Sequence, residues 1–205
     1  MEFQGSPVRV GSVHGRFQPF HNGHLEYVLA AKEHCDFLWI GITKCDPNAT
    51  GSNGQVQLRE RTENNPFTFF ERMTIINAAL IEAGLDRNQF GFTPFPIETP
   101  VALQNFLPIS IRCYTTVCEA WNLQKVETLR GLGYEVVVLY EQNPKKISGI
   151  TIRNAIVEGS DVWEGMVPKA TALAIAQLGL RARLITLRSA DQNPANGAAH
   201  QGLPA

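Results

Sequence analysis

Residues 15–24, GRFQPFHNGH, place an arginine, two glycines and two histidines three apart in a turn between an apolar strand-like run and a helix-like one. Gly15 and Gly23 let backbone approach a ligand closely, the N–H groups of a helix starting near Gly23 favour an anion, and Arg16 adds a planar cationic fork. His21 and His24 are spaced to face one anion across the helix start, donating hydrogen bonds to oxygens that gain charge during a reaction. One histidine at a helix start is ordinarily a cap or a surface group. Two of them, with an arginine and two glycines at one strand exit, describe a phosphate site. Residues 145–153, KKISGITIR, point the same way: Ser148 is a good N-cap, Gly149 permits close approach, and Arg153 lies about one turn inside the helix. Alone this is a capped helix with a solvated basic face; paired with the first segment it is a second phosphate clamp. The two segments also supply Phe17, Lys146 and Thr151 as nucleotide-binding candidates.

The elements that must position these groups follow a regular alternation. Apolar runs at 8–15, 36–43, 90–96, 111–117 and 135–141 read as strands buried on both faces. Between them, 24–34, 67–84 and 119–133 have helical spacing, with Leu25, Val28 and Leu29 on one face of the first and Phe69, Met73, Ile76 and Leu80 on one face of the second. The pattern predicts an α/β fold: a Rossmann-like, doubly wound parallel sheet of about five strands in a single domain over 1–189. Residues 44–66 are polar and rich in Gly and Asn, the composition of a mobile loop; 169–189 read as a C-terminal helix, with Gly179 a point where it can split, and 190–205 as a disordered tail.

Composition bounds the function. With 205 residues, 44% of them hydrophobic, the chain can bury one sizeable core, and a formal net charge of -1 gives no global footprint for nucleic acid. Cys35, Cys45, Cys113 and Cys118 form no zinc-like array and read as reduced thiols in a cytoplasmic protein. No apolar run is long enough to cross a bilayer, and the first ten residues lack the layout of a signal peptide, so no membrane partner is expected.

GRFQPFHNGHL and ISGITIR resemble the paired HxGH and ISxTxIR-type signatures of the nucleotidyltransferase superfamily that includes nicotinamide-mononucleotide adenylyltransferases and small cytidylyltransferases. The similarity continues through IGIT (40–43), NPFTFFERM (65–73), GYEV (133–136) and WEGMVPKA (163–170), and covers roughly residues 8–175. The resemblance implies that His21 and His24 contact a triphosphate and stabilise the transition state at its α-phosphorus, that Arg16 and Arg153 neutralise the phosphates, and that Ser148 holds the β/γ end. It implies Mg²⁺ carried by the triphosphate, with no dedicated protein metal site, and no general base, because the acceptor oxygen is already a nucleophile. Homo-oligomers are frequent in the superfamily.

This chain departs from the adenylyltransferase pattern at three positions. Ile150 occupies the usual threonine position with Thr151 one place later, Asn64 stands where an arginine is usual, and Gln104 stands where nicotinamide would stack on a tryptophan. A flat pyridinium wants an aromatic face and a nearby negative charge. GITKCDPN, PFPIETP and CEAWN resemble small cytidylyltransferases that act on phosphonates or phosphate monoesters. The expected reaction is therefore transfer of a nucleoside monophosphate, from CTP ahead of ATP, to a small phosphate- or phosphonate-bearing acceptor with release of pyrophosphate. Gln104, Trp121, Asn122 and Lys125 are the acceptor-binding candidates, Trp121 equally readable as packing against the sheet. The alternatives are NAD synthesis from ATP and a non-catalytic nucleotide sensor.

Overall fold

The computed structural model describes residues 9–45, 61–117, 120–141 and 147–192. Its centre is a parallel sheet of five strands, β1 (Val10–Gly15), β2 (Phe37–Ile42), β3 (Phe90–Pro94), β4 (Arg112–Val117) and β5 (Val136–Glu141), in the order β3-β2-β1-β4-β5. Each strand falls inside one of the five apolar runs, because a strand covered on both faces must be apolar nearly throughout. The order reverses between β1 and β4, the place where open α/β sheets bind ligands beyond the strand ends.

Two apolar layers cover the sheet. On one face Val13, Leu38, Ile40 and Ile42 pack against α1 (Asn22–Lys32) and α2 (Phe69–Glu82), and the same core takes in α4 (Gly149–Glu158), α5 (Lys169–Gln177) and α6 (Leu180–Gln192). On the other face Phe95, Leu103, Leu107 and Cys113 pack against Val126 and Leu129 of α3 (Ala120–Gly131). α2 starts at a reciprocal cap: the Thr68 hydroxyl accepts the Glu71 N–H at 3.2 Å and the Glu71 carboxylate accepts the Thr68 N–H at 2.8 Å. Its buried stripe of Ile75, Ile76, Ala79 and Leu80 fixes it to the sheet, each large aliphatic side chain contributing about 1.5–3 kcal/mol.

The crevice has a visible cause. β1 and β4 pair at Gly11↔Arg112 and Ser12↔Cys113 and then part. Above that point the Tyr27 hydroxyl from α1 takes up the backbone groups, donating to the Tyr114 carbonyl at 2.6 Å and accepting the His14 N–H at 3.3 Å. The strand ends are thereby held apart without leaving those two groups unpaired.

Three boundaries differ from the expectation. The C-terminal helix over 169–189 is two helices, α5 and α6, bent by 64° about Gly179, whose φ of 57° is a conformation that only glycine adopts cheaply. α6 continues to Gln192, so the first three residues of the expected tail are helical, and 193–205 lie outside the described residues. Of the expected mobile loop 44–66, residues 46–60 lie outside the described residues, while Thr62–Asn64 form a 3-10 turn. No single helix among the described residues is long and apolar enough to cross a membrane.

Candidate active site

The exit of β1 is built around rings. Phe17 has φ 53°, its side chain is buried, and a Cβ at Gly15 would come within 2.9 Å of its ring, so Gly15 serves the fold of the turn and not only a ligand. Phe17, expected to touch nucleotide, instead stands edge-on to His24 at 5.0 Å, and Phe20, itself 5.7 Å from Phe17, stacks on the same imidazole at 5.8 Å. Burial makes Phe17 a wall for His24 and not a ligand contact. His21 is the N-cap of α1: its Nδ1 accepts the His24 N–H at 3.3 Å, which leaves the ring hydrogen on Nε2. The two imidazoles stack 3.6 Å apart and 17° from parallel. They are brought together as the spacing predicts, beside the first-turn N–H groups of Asn22 and Gly23.

The second segment meets the first through Gln18, a residue the sequence reading did not single out. The Gln18 side-chain amide pairs with both backbone groups of Phe67, at 2.9 and 3.0 Å, while the Gln18 backbone carbonyl accepts an Arg153 N–H at 2.6 Å. A Cβ at Gly149 would lie 2.5 Å from that same carbonyl oxygen. Gly149 therefore admits α4 to the β1 exit, and the close approach it permits is to protein backbone. Arg153 is buried, with its other nitrogen bonded to Asn64 Oδ1, so the guanidinium expected to face phosphate ties both motifs and the 62–64 turn together. Ser148 caps α4, its hydroxyl 2.8 Å from that of Thr151, and Ile150 is exposed in the first turn; Lys146 lies outside the described residues.

A buried arginine completes the exits of β1 and β2. Arg72 of α2 donates to the carbonyls of Arg16 at 2.9 Å, Thr43 at 2.7 Å, Lys44 at 2.8 Å and Thr68 at 3.2 Å. Phe17 and Lys44 both have positive φ, and Arg72 gathers carbonyls at both of these turns. The sequence held one signal: Arg72 shares the helical stripe of Phe69, Ile75 and Ile76, where an exposed cation does not belong. Burial, with the Arg16 charge adding to it, brings Arg72 down to about 10, and the same two causes bring Arg153 down to about 10. Three guanidinium groups thus crowd the strand exits, a field that an anion would relieve.

The acceptor candidates divide. Lys125 lies near enough to His14 of β1 and Cys113 of β4 for its charge to act on both, and Asn122 is buried on the same helix. The side chain of Trp121 lies outside the described residues. Gln104 is a correction: its amide donates to the Leu132 carbonyl at 3.3 Å, in the α3–β5 turn at the end of the sheet opposite the strand exits. The resemblance sets Gln104 where a tryptophan stacks on nicotinamide, and the 3-10 turn Pro100–Asn105 aims it elsewhere.

Among the described residues no group of three or more His, Cys, Asp and Glu side chains converges as a metal site. The groups at the strand exits are donors, which fits a metal brought in on phosphate oxygens.

A family model described as cytidylyltransferase-like matches residues 13–155. The phosphonoformate cytidylyltransferase of Streptomyces viridochromogenes is 38% identical over 174 residues, covering 85% of this chain and 94% of that one. The nicotinamide-nucleotide adenylyltransferase of Thermococcus kodakarensis is 32% identical over 171 residues, covering 83% and 84%. Among solved structures, a bifunctional NMN adenylyltransferase/ADP ribose pyrophosphatase from Francisella tularensis superposes with a TM-score of 0.64 at 17% identity, over 90% of this chain and 54% of that one, and so shares the fold over about half its length. With the paired histidines at the β1 exit and the second motif docked on Gln18, these matches establish the chain as a nucleotidyltransferase that belongs to the cytidylyltransferase-like family.

Proposed function

We propose that the protein transfers a cytidylyl group from CTP to a small phosphonate- or phosphate-bearing acceptor. An acceptor oxygen attacks the α-phosphorus, a new P–O bond forms, the bond from that phosphorus to the bridging oxygen breaks, and pyrophosphate leaves. Mg²⁺ bound to the triphosphate would neutralise charge on its oxygens and on the departing pyrophosphate. His21 Nε2–H and the adjacent His24 imidazole donate to the α-phosphoryl oxygens as charge builds there, and the N-terminus of α4, with Ser148 and Thr151, receives the β/γ end. Arg16 supplies charge at the β1 exit, while Arg153 and Arg72 hold the loops that carry these donors and add to the positive field.

The observation that carries the acceptor half is where the aromatic side chains after β3 have gone. Phe95 is fully buried with one face taken by His14, and Gln104 turns to the opposite end of the sheet, so neither position offers a ring on which a nicotinamide could lie; Phe106, 43% exposed, is the one exposed ring among the described residues of this stretch. The likeness to the Streptomyces enzyme, named for phosphonoformate, favours a small acceptor and CTP. NAD synthesis from ATP is the second reading, favoured by the 32% identity to the Thermococcus enzyme.

Pyrophosphate release from the purified protein with Mg²⁺, CTP or ATP, and phosphonoformate or nicotinamide mononucleotide separates the two. CTP with phosphonoformate should give the highest kcat/KM, and efficient formation of NAD would replace this reading with the second.

A further inference from the structure

One side chain at the crevice is buried with nothing to bond to. His14, one residue before Gly15 and beyond the last paired residues of β1 and β4, is 3% exposed, and neither ring nitrogen has a hydrogen-bond partner. Its orientation is built in. The Phe95 ring lies parallel to it, 4.2 Å away and 3° from coplanar, and Phe95 can sit there only because residue 41 is glycine, where a Cβ would come within 2.7 Å of the Phe95 ring. The imidazole projects to the face of the sheet covered by α3, where Lys125 is near enough to act on it, and burial with that charge holds its proton affinity well below the usual histidine range. A neutral imidazole carries one N–H donor and one lone pair, and a buried site normally satisfies both. In a close-packed strand a leucine would fill the space without that cost.

Resting on the reading of the protein as a small-acceptor cytidylyltransferase, we propose that His14 recognises the end of the acceptor remote from the attacking oxygen: its N–H donates to a second oxygen function, a carboxylate, with the Lys125 charge beside it. The acceptor is then a compact molecule with two acidic ends, one phosphonate or phosphate and one carboxylate. The second end orients the first toward His21 and His24, and an acceptor lacking it leaves the imidazole buried and unpaired during turnover.

The test compares CTP-dependent pyrophosphate release with phosphonoformate and with methylphosphonate, which lacks the carboxylate, in the wild type and in His14→Leu, alongside thermal unfolding of both proteins without ligand. The wild type should prefer phosphonoformate by at least about tenfold in kcat/KM, and His14→Leu should lose most of that preference while its Tm holds or rises, since an apolar side chain replaces an unpaired polar one. An unchanged preference in a folded His14→Leu protein overturns the proposal and leaves the function standing. A fall in Tm with equal losses on both acceptors assigns His14 to the core and also overturns it. If His14→Leu fails to fold, His14→Gln, which keeps an N–H donor, decides: retention of the preference supports recognition, and its loss in a folded protein overturns it. If the wild type releases no pyrophosphate with either acceptor, the small-acceptor reading falls and this inference with it.

Discussion

His24 sits among three rings, His21 at 3.6 Å, Phe17 at 5.0 Å and Phe20 at 5.8 Å, and that packing fixes where its N–H can point. A donor fixed before the reaction acts on charge that appears only in the transition state. His24→Ala should therefore lower kcat by roughly 10²–10³ with a much smaller change in Tm, measured by single-turnover kinetics and thermal unfolding; near-normal kcat would remove His24 from the chemistry. His14 gives a second prediction, about acid. Burial keeps it neutral in the folded protein where the unfolded chain would protonate near pH 6.5, so below that value the unfolded state binds the extra proton and stability falls with pH. The slope from this one group approaches about 1.4 kcal/mol per pH unit, and His14→Leu should flatten the acid limb of a urea-unfolding series from pH 7 to 5; identical limbs would show that His14 titrates normally. The histidine pair was legible because two rare side chains share one strand exit. His14 was not, because a lone histidine in an apolar strand carries no sign of whether its nitrogens are paired.

Each strand-forming run was legible from its unbroken apolar character, since all five strands are covered on both faces. What the runs did not encode was how the loops between them meet. Gly149 read as a ligand contact, yet the atom facing it is the carbonyl of Gln18, in the β1–α1 turn and 131 positions away in the chain (149 minus 18). Nothing in the 67–84 run says what Arg72 bonds to, although its bonds to Arg16, Thr43 and Lys44 fix the exits of two strands. Contacts of this kind are decided by the packed fold, which local periodicity does not contain. A backbone oxygen 2.5 Å from the new Cβ cannot rotate away, so Gly149→Ala must push the start of α4 off the β1 exit. The expected cost is about 1–3 kcal/mol, with a fall in kcat/KM for CTP. Gly131→Ala, where a Cβ meets nothing within 4 Å, is the control and should leave both nearly unchanged. Equal behaviour of the two variants, by calorimetry and kinetics, would show that α4 tolerates the displacement.

Across the whole molecule the last helix is tied to the site by a chain of charged contacts. Arg183 of α6 forms a two-pronged pair with Glu71 at 2.9 Å on each side and also donates to the Pro66 carbonyl at 2.9 Å, while Arg188 pairs with Glu63 at 3.2 Å. These contacts pin residues 63–71, the segment that brings Asn64 to Arg153 and Phe67 to Gln18. Burial alone would raise the Glu71 carboxyl; the Arg183 guanidinium and the Thr68 backbone outweigh it and hold the group below the ordinary carboxylate range. A depressed carboxylate contributes its stability above the unfolded pKa and loses it as pH falls through the folded one, so at neutral pH the tie is fully made. Arg183→Met keeps much of the apolar stem and removes the fork, leaving Glu71 half-buried without its partner. We expect a loss of about 1–3 kcal/mol in urea unfolding at pH 7 that shrinks toward pH 3 as Glu71 protonates in both proteins. Because the pinned segment bears on Gln18 and Arg153, and through them on the loops around the histidines, KM for CTP should rise more than kcat falls. A variant with lowered stability and an unchanged KM would confine α6 to holding the fold and break the link from the C-terminal helix to the nucleotide.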